Sequence, residues 1–381
     1  MKLDGILELL LSPNWRELWL GPETLGAWVD ENEKVPGSCP FTRTFEVTLG
    51  EDLWELIPAL QIHLKQGCYN LWQESGLPIN PNFTLHGCSE GSPTDFSVIW
   101  GQHLACAGTL KRGQLLALHS RPGSLQDTFV EQLYGLPARW ISPNMRTQAE
   151  RSGFTILDNL SLIATSVIVS IRRLGARLLE PVQVQELLEL WACRRPKTVA
   201  LARRRVPFDE LLWVLQGLLD EDISIRDLDL ILNVLIQRPP HPLAAVRLAM
   251  SPTFCEHTQA PGQPLDAVTI HPRLERSLAE RHPATISTFL SQLNEEAKRL
   301  GGEFRVLVCK AEHRFWLRRL LKPIYPQLAV FSWDELTRVG VNSIALLGSS
   351  RRKTGFKADQ MSRSLRERSP RAFFPADLEG D

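Results

Sequence analysis

The sequence lacks an apolar run long enough to cross a membrane. Its longest is Leu160–Ile171, whereas a spanning helix needs roughly 20 apolar residues. The N-terminal stretch MKLDGILELLLSPNWRELW is interrupted by Asp4 and Glu8 and is followed by no small-residue cleavage site. We therefore interpret it as the start of a folded domain and not as a signal peptide, and we predict no membrane-spanning segment.

The chain also lacks an excess of charge of either sign. Its 43 Lys and Arg residues balance 43 Asp and Glu residues, which gives a formal net charge of zero. Binding to nucleic acid or to an anionic membrane needs a basic face, so neither is predicted for the body of the protein. No GxxxxGKS/T or GxGxxG sequence occurs, which argues against the familiar nucleotide-binding loops.

Paired cysteines are missing as well. The seven cysteines are scattered, odd in number and without a CxxC pair. We predict neither a disulfide framework nor a structural zinc site, and a reducing cytoplasm fits this usage best. The nine histidines carry no motif that assigns acid–base work. The sequence therefore predicts no metal and no cofactor.

The composition that remains is that of a folded protein of mixed α/β class. Hydrophobic residues make up 43% and charged residues 23% of the 381 residues, which is close to the average for soluble domains. In the first third, alternation predicts a strand at 44–49 and apolar periodicity predicts a helix at 53–72. FSVIWG (96–101) and LLALHS (115–120), joined across KRGQ, are predicted to form an antiparallel pair.

A strand and a run of helices are predicted next. FTILD (154–158) has the pattern of a short buried strand, and Asn159 or Ser161 is predicted to cap the helix that follows. Residues 180–238 place apolar side chains at helical spacing, which predicts three or more packed helices. The proline-rich segment 239–264 is predicted to be a linker and a domain boundary.

The last third changes pattern again. FRVLVC (304–309) and LAVFSW (328–333) are strand-like and are separated by a helical segment, which predicts a small parallel α/β unit. Residues 351–381 differ from the rest, since eight Arg or Lys residues stand against two acidic residues from Arg351 to Arg371. We predict that this basic tail is disordered.

One short sequence matches a catalytic motif. Residues 87–91 (GCSEG) fit the GxSxG nucleophile elbow, and Asp95 and His103 lie nearby in the sequence. The elbow needs a strand before it and a helix after it, whereas the flanking NPNFTLH and SPTDF predict a polar loop or hairpin. A serine hydrolase that uses Ser89 is the alternative function from the enzyme class.

Two groups of residues are candidates for binding. A basic cluster lies between two predicted helices and comprises Arg194, Arg195, Lys197, Arg203, Arg204 and Arg205. Its simplest interpretation is a solvated loop and helix end. A contact with a partner or another subunit is the alternative. Tyr134, Trp140 and Thr165 are most simply core or boundary side chains. Their position where the strand-rich part meets the strand–helix unit also permits a groove, because domain junctions favour concave apolar sites.

Several phrases resemble a known family. They are YGLPARWI (134–141), ERSGFTILDNLSLIATSV (150–167) and VLQGLLDEDISIRDLDLIL (214–232), supported more loosely by DFSVIWGQHLACAGTL (95–110) and YPQLAVFSWDEL (325–336). Together they resemble the cytosolic domain of the type III secretion export gate family. The likeness extends from about Leu3 to Gly348, and the tail beyond has no counterpart.

The resemblance implies a mixed α/β fold of four subdomains. They comprise an interrupted α/β first subdomain, a small inserted second, a helical third and a small α/β fourth, at 1–112 with 159–178, 113–158, 179–251 and 252–350. The basic tail 351–381 would follow the fourth. On this basis the chain is the cytosolic part of a protein whose N-terminal region lies in the membrane.

The resemblance also implies a function. Family members form a non-enzymatic homo-oligomeric ring, nonameric in known members, at the cytoplasmic face of the bacterial inner membrane. Their partners are secretion chaperone–substrate complexes, the export apparatus switch protein and the stalk of the ATPase complex. Carried over by position, Glu131, Tyr134 and Thr165 line the docking groove, to which we add Trp140 of the same phrase. An aromatic anchor between polar groups suits such a groove.

Two departures bear on the branch of the family. Ser166 and Val167 stand where the family usually has His and Leu, and the run 131–134 (EQLY) stands where Asp-Pro-Ala-Phe is usual. These changes favour the virulence-type branch over the flagellar one. The sequence thus predicts a ring-forming export platform and no enzyme. A soluble adaptor that binds acidic partners through the tail 351–381 is the third alternative.

Overall fold

The computed structural model describes residues 44–78, 83–89, 91–118, 129–130, 137–256, 264–300, 305–325, 328–337 and 339–348. The chain divides into two compact units, Met1–Thr258 and Gln259–Asp381. The predictions for the N-terminal stretch and for the tail 351–381 lie outside the described residues.

The first sheet of unit 1 has four strands in the order β2-β1-β3-β4. They are β1 (Phe45–Gly50), β2 (Phe83–Cys88), β3 (Asp95–Trp100) and β4 (His103–Thr109). Phe45, Val47 and Leu49 point into the core and alternate with solvent-facing side chains, which confirms the predicted first strand. A 3₁₀ turn (Glu51–Leu56) leads from β1 into helix α1 (Ile57–Ser75).

The predicted pairing of 96–101 with 115–120 is wrong. β3 instead pairs antiparallel with β1 on one side and with β4 on the other. Gly101 has a φ of +61°, so it forms the tight turn that folds residues 103–109 directly back onto β3. Both edges of β3 are then occupied, and the segment at 115–118 joins another sheet.

That second sheet is small and has the order β6-β7-β5-β8. Its strands are β5 (Leu115–Leu118), β6 (Phe129–Val130), β7 (Pro137–Ile141) and β8 (Thr155–Leu157), with helix α2 (Arg146–Arg151) between the last two. β5 is central, pairing antiparallel with both β7 and β8. The predicted strand at 154–158 is confirmed as β8.

Helix α3 (Asn159–Leu178) is the most buried helix of this region. It packs against α1, β4, β5 and β8, so it joins the two sheets. Its first turn is capped by Asp158, whose Oδ1 accepts the N–H of Ser161 at 2.7 Å. The predicted caps, Asn159 and Ser161, are therefore wrong by one to three positions, because Asp158 holds the extended backbone that an N-cap needs.

Five helices complete unit 1. They are α4 (Pro181–Arg194), α5 (Pro196–Arg205), α6 (Phe208–Asp220), α7 (Leu228–Ile236) and α8 (Pro242–Glu256). The helical prediction for 180–238 is confirmed. The linker prediction for 239–264 is wrong over α8, because Leu243, Val246 and Met250 recur at helical spacing and are buried. Pro242 starts this helix, where proline costs nothing.

Unit 2 is built on a parallel sheet with the order β11-β10-β9-β12. Its elements are β9 (Leu265–Ile270), α9 (Pro272–Ala279), α10 (Pro283–Arg299), β10 (Val306–Cys309), α11 (Ala311–Leu321), β11 (Ala329–Ser332) and β12 (Val341–Leu347). The predicted strand–helix–strand unit is confirmed as β10–α11–β11. The described residues thus have the mixed α/β class that was predicted, while the division into four subdomains stays a prediction.

Candidate functional site

Three buried hydroxyl groups lie on α3, where it crosses from one sheet to the other. Thr165, Ser166 and Ser170 are each 3% exposed. The Ser166 hydroxyl donates to the Leu162 carbonyl at 2.7 Å, and the Ser170 hydroxyl donates to the Ser166 carbonyl at 2.8 Å. The Cys106 thiol of β4 lies 3.8 Å from the same Ser166 carbonyl, so this part of α3 lies against the first sheet.

Trp140 approaches the same core from the second sheet. It lies on β7 opposite Leu116 of β5, and Leu116 lies opposite Leu157 of β8. The Trp140 ring is half-buried and packs against the core that contains Leu116, Leu157 and Ile163 of α3. Trp140 and the N-terminal half of α3 therefore flank β5 and share one apolar core.

The predicted groove is described only in part. Trp140 and Thr165 lie on elements that both contact β5, while Glu131 and Tyr134 lie outside the described residues. In this structure Thr165 offers almost no surface to a partner, and Trp140 offers some. Of the two described members, Trp140 is therefore the one available for contact.

Exposed cations gather where α4 meets α5 and where α5 ends. We name them the basic knuckle, which comprises Arg194, Arg195, Lys197, Arg203, Arg204 and Arg205. Arg195 lies between the two helices, and its Nε is 3.7 Å from Asp229 Oδ2. The three arginines at 203–205 occupy the last turn of α5, where each stabilises the helix dipole by about 0.3–1 kcal/mol. Their position at the C-terminal end of α5 explains why the helix tolerates three adjacent arginines. All three side chains are exposed, so their charges face the solvent.

The GxSxG loop does not have the context of a nucleophile elbow. The described residues around it form strand β2, a turn at 91–94 and strand β3, so a strand stands where the motif requires a helix. Asp95 is also engaged in this turn, since its carboxylate accepts the Ser92 N–H at 3.2 Å and the Thr109 hydroxyl at 2.6 Å. This geometry does not favour the hydrolase alternative.

The parallel sheet of unit 2 ends in two buried carboxylates. Lys310, directly after β10, donates its N–H to Glu275 Oε1 at 2.6 Å, and Ser332 of β11 donates its N–H to Glu335 Oε2 at 2.8 Å. Burial raises the pKa of the Glu275 carboxyl, against the opposing effect of the Lys310 N–H and ammonium group. Ligands often bind at this edge of an α/β sheet, but both side chains are buried. We conclude that they satisfy backbone donors within the fold.

The described part of the chain offers neither a metal site nor a membrane span. There, no group of three or more His, Cys, Asp or Glu side chains is arranged to hold a metal ion. None of the helices described is both long and apolar enough to span a bilayer.

Comparison with known proteins decides the family. The sequence profile of the FHIPEP family matches residues 29–339, which is most of the chain. The chain belongs to the FHIPEP family. Its membership confirms the resemblance to the export gate family that the phrases at 134–141, 150–167 and 214–232 indicated.

Curated relatives within the FHIPEP family are flagellar biosynthesis proteins. The chain is 31% identical to FlhA of Escherichia coli over 252 residues, which cover 61% of this chain and 36% of the relative. It is 27% identical to FlhA of Caulobacter vibrioides over 256 residues, covering 61% and 37%. The matched part thus spans between a third and two fifths of each relative's length.

Solved structures show the same fold. The Chlamydia pneumoniae CdsV protein superposes with a TM-score of 0.71 at 18% identity, covering 82% of this chain and 99% of that one. CdsV in a complex with CdsO gives 0.67 at 18% identity, covering 80% and 97%. The nonameric SctV cytosolic domain from EPEC gives 0.67 at 14% identity, covering 82% and 100%. At these identities the likeness concerns the fold, and the preference for the virulence-type branch of the FHIPEP family stays a prediction.

Proposed function

We propose that this chain is the ring-forming cytosolic platform of a type III secretion export gate at the cytoplasmic face of the bacterial inner membrane. Membership of the FHIPEP family over residues 29–339 carries the proposal. The likeness of the fold to a nonameric SctV cytosolic domain supports the ring. On this proposal the chain acts by binding and sorting proteins, without catalysis.

Unit 1 has an acidic end that suits a subunit contact. The 3₁₀ turn before α1 carries the exposed carboxylates Glu51 and Glu55. Between them Trp54 is 44% exposed, and its indole N–H donates to the Leu49 carbonyl at 3.0 Å. An anchored aromatic side chain flanked by charges is typical of interface residues.

The opposite end of α1 meets the loop before α7, and one helix of the basic knuckle packs on α7. The Ile225 N–H donates to the Ser75 carbonyl at 2.8 Å, so the loop before α7 lies at the C-terminal end of α1. Helix α5 packs on α7 and on α4. Since 19 residues of α-helix extend about 28 Å, the acidic turn at the start of α1 lies about that far from the loop before α7.

Complementary charges at opposite ends favour head-to-tail association. A contact between the acidic turn of one subunit and the basic knuckle of the next uses two different surfaces, and such a contact closes into a ring when the rotation per subunit permits. Charge complementarity of this kind fixes the register and steers the encounter. We therefore propose that the knuckle forms one side of the subunit interface.

Reversing the knuckle should prevent ring assembly. We expect the triple variant Arg203→Glu, Arg204→Glu and Arg205→Glu to need at least a tenfold higher protein concentration to form rings, because like charges then face each other. Adding Glu51→Lys and Glu55→Lys to the same chain should restore assembly. Analytical ultracentrifugation with negative-stain imaging measures both results.

A matched control reverses three exposed cations outside the knuckle. Lys65→Glu, Arg146→Glu and Arg151→Glu change the net charge by the same amount at exposed positions, and rings should form as in the parent. The contact assignment is wrong if this control loses rings equally, or if the swapped chain fails to recover them. The family-level proposal itself fails if the parent forms no ring at any concentration.

The second part of the proposal is docking of secretion chaperone–substrate complexes. The residues proposed for it are Glu131, Tyr134, Trp140 and Thr165, of which the two described ones, Trp140 and Thr165, lie where α3 joins the second sheet. The half-buried Trp140 supports a partly apolar surface there, and junctions between substructures favour concave sites.

The test of this site is Tyr134→Ala. Loss of an aromatic anchor should weaken docking of a chaperone–substrate complex by about 1–3 kcal/mol, as measured by titration calorimetry. Tyr69→Ala is the control, because Tyr69 is exposed on α1, away from β5 and β7. Equal affinity of the Tyr134→Ala variant and the parent would remove Tyr134 from the site.

Two protein partners complete the proposal. The solved complex of CdsV with CdsO supports a protein partner for this chain, and the stalk of the ATPase complex and the export apparatus switch protein are proposed on family grounds. The balanced charge of the chain favours no nucleic acid partner. Neither the hydrolase nor the adaptor alternative gains support from the described residues.

A further inference from the structure

Two helices of unit 2 are joined by a short turn that rests on an aromatic side chain. Between α9 and α10 the chain turns at residues 280–282, where Arg281 has a φ of +52°. A side chain in this left-handed region is strained and needs its surroundings to hold it there. Support comes from α11, because Arg281 Cζ lies 5.6 Å from the centre of the Trp316 ring, within the range of a cation–π interaction. We name residues 280–282 and the first turns of α11 the turn contact.

A buried histidine contacts the same aromatic ring. His313, in the first turn of α11, meets the Trp316 ring edge-on with 6.3 Å between the ring centres, and its side chain is 6% exposed. Its Nε2 lies 3.3 Å from Glu312 Oε1 but has no hydrogen-bond partner among the described residues. The imidazole therefore packs as an apolar group, and a proton on it would bury a charge.

The charges around His313 disfavour its protonated form. Burial lowers the pKa of this imidazole; the Glu312 carboxylate opposes the effect, while Lys310 after β10 and Arg281 of the turn reinforce it. Glu312 is 64% exposed, so solvent and salt screen its contribution. From α9, Glu275 accepts the backbone N–H of Lys310 at 2.6 Å, which fixes the chain beside His313. The turn contact thus has no place for a further positive charge.

The turn itself carries a second histidine that the fold uses in its neutral form. His282 is the N-cap of α10, and its Nδ1 accepts the N–H of Ala284 at 3.3 Å. Only a neutral imidazole can accept in this way, because imidazolium carries a hydrogen on both nitrogens. A proton here would also place positive charge at a helix N-terminus, where the dipole disfavours it. The charged residues beside it, Glu280 and Arg281, precede it in the same turn.

We propose that the turn contact is an acid-sensitive switch, in which protonation of His282 and His313 releases residues 280–282 from Trp316 while the parallel sheet of unit 2 stays folded. Arg281 then leaves its left-handed conformation, and the face of Trp316 that it covers becomes accessible. All these groups lie in unit 2, so the switch is separate from the ring contact proposed above.

The direction of the pH dependence follows from the neutral state of the buried imidazole. Because folding lowers the pKa of His313, its contribution to stability is fully present above the ordinary histidine value of about 6.5. It is lost as the pH falls below that value, since the open form binds the proton more readily. The turn contact is therefore closed at neutral pH and opens in mild acid.

Hydrogen–deuterium exchange of the full chain, read by mass spectrometry, tests the switch. It is measured at about pH 7.5 and about pH 5.5, which bracket the range in which histidine changes charge, with exchange times scaled to remove the chemical effect of pH. We expect peptides covering 276–286 and 311–318 to exchange at least about fivefold faster in acid, because one such group raises the open population by up to about tenfold per pH unit. Peptides of β9, β10 and unit 1 should keep their protection.

Variants that cannot titrate assign the response to the two histidines. Asparagine is a favoured N-cap, so His282→Asn keeps the cap without the proton, and His313→Gln keeps a neutral polar side chain. Each single variant should show a smaller acid response than the parent, and the double variant should show none. His282 is exposed, so His282→Asn provides a test that does not disturb the core.

His63→Asn is the matched control. His63 is exposed on α1, and its Nδ1 lies 2.9 Å from the Ala59 carbonyl, to which it donates in either charge state, so this variant should respond to acid as the parent does. The switch is overturned if the peptides of the turn contact respond no more than those of unit 1, or if His282→Asn responds like the parent. Loss of protection in β9 and β10 at the same pH would mean unfolding of the whole unit and would overturn it too.

Discussion

Arg247→Met lowers the stability of unit 1 by about 3–5 kcal/mol, the range for breaking a buried ion pair. The Arg247 side chain on α8 is 2% exposed and donates to Glu221 Oε2 at 2.9 Å, and the Glu221 side chain is 7% exposed. Methionine keeps most of the volume but leaves the carboxylate buried opposite an apolar group. Glu221 also caps the C-terminus of α6, where the helix dipole disfavours a negative charge that no cation balances.

Urea unfolding followed by tryptophan fluorescence measures this loss. The double variant Arg247→Met/Glu221→Leu should recover most of the stability, since well-packed apolar residues often replace a buried pair without loss. Arg146→Ala is the matched control, because Arg146 and Glu150 also lie 2.9 Å apart but are 56% and 48% exposed, which limits the pair to about 0–1 kcal/mol. Equal losses for Arg247→Met and Arg146→Ala would show that burial does not set the cost.

Gly76→Ala destabilises unit 1 by about 3 kcal/mol. Gly76 ends α1 with a φ of +73°, and a Cβ at this position would lie 2.7 Å from the backbone nitrogen of Arg226. Left-handed backbone costs alanine about 1–2 kcal/mol. The clash forces the Arg226 loop away, which also breaks the hydrogen bond from Ile225 to Ser75, worth about 1 kcal/mol.

Gly113→Ala separates the two causes. Gly113 has a φ of +66°, but nothing lies within 4 Å of a Cβ built there. It should therefore cost only the backbone part, about 1–2 kcal/mol. The same urea unfolding experiment compares the two variants. If the two variants lose equal stability, the close approach of the Arg226 loop does not contribute to the cost of Gly76→Ala.

Local patterns were enough to predict much of this fold. Alternation in residues 44–49 predicts β1, and periodicity over 180–238 predicts the helices α4 to α7, because each pattern reports which side of one element faces the core. The pairing of strands is not local. The turn at Gly101 pairs β3 with β4. Predicting this pairing required choosing that turn, and not the KRGQ connection, as the loop of the hairpin. The prolines led to the wrong prediction of a linker over α8, because the apolar residues there recur at helical spacing and form a helix.

The candidate site was predicted less completely. Thr165 was named through family resemblance and Trp140 through its position at the predicted junction, and no residue pattern in the sequence indicates that both flank β5. Arg247 and Glu221 were missed because they meet only through the packing of α8 on α6. Glu275 was missed because it lies on α9, whereas its partner, the Lys310 N–H, follows β10, 35 residues later in the chain. Side chains that meet through tertiary packing leave no periodic signal in a single sequence.

The strand order of unit 2 has a consequence for how the protein is made. β12 is the last of the described strands along the chain, yet it pairs with β9, and the hydrogen-bonded hydroxyls of Thr269 and Ser343 are 74 residues apart. Contacts of such separation are slow to form, because the intervening chain must first be brought to order. During translation the sheet stays one strand short until Leu347 has left the ribosome. Until then one edge of β9 is exposed to other nascent chains.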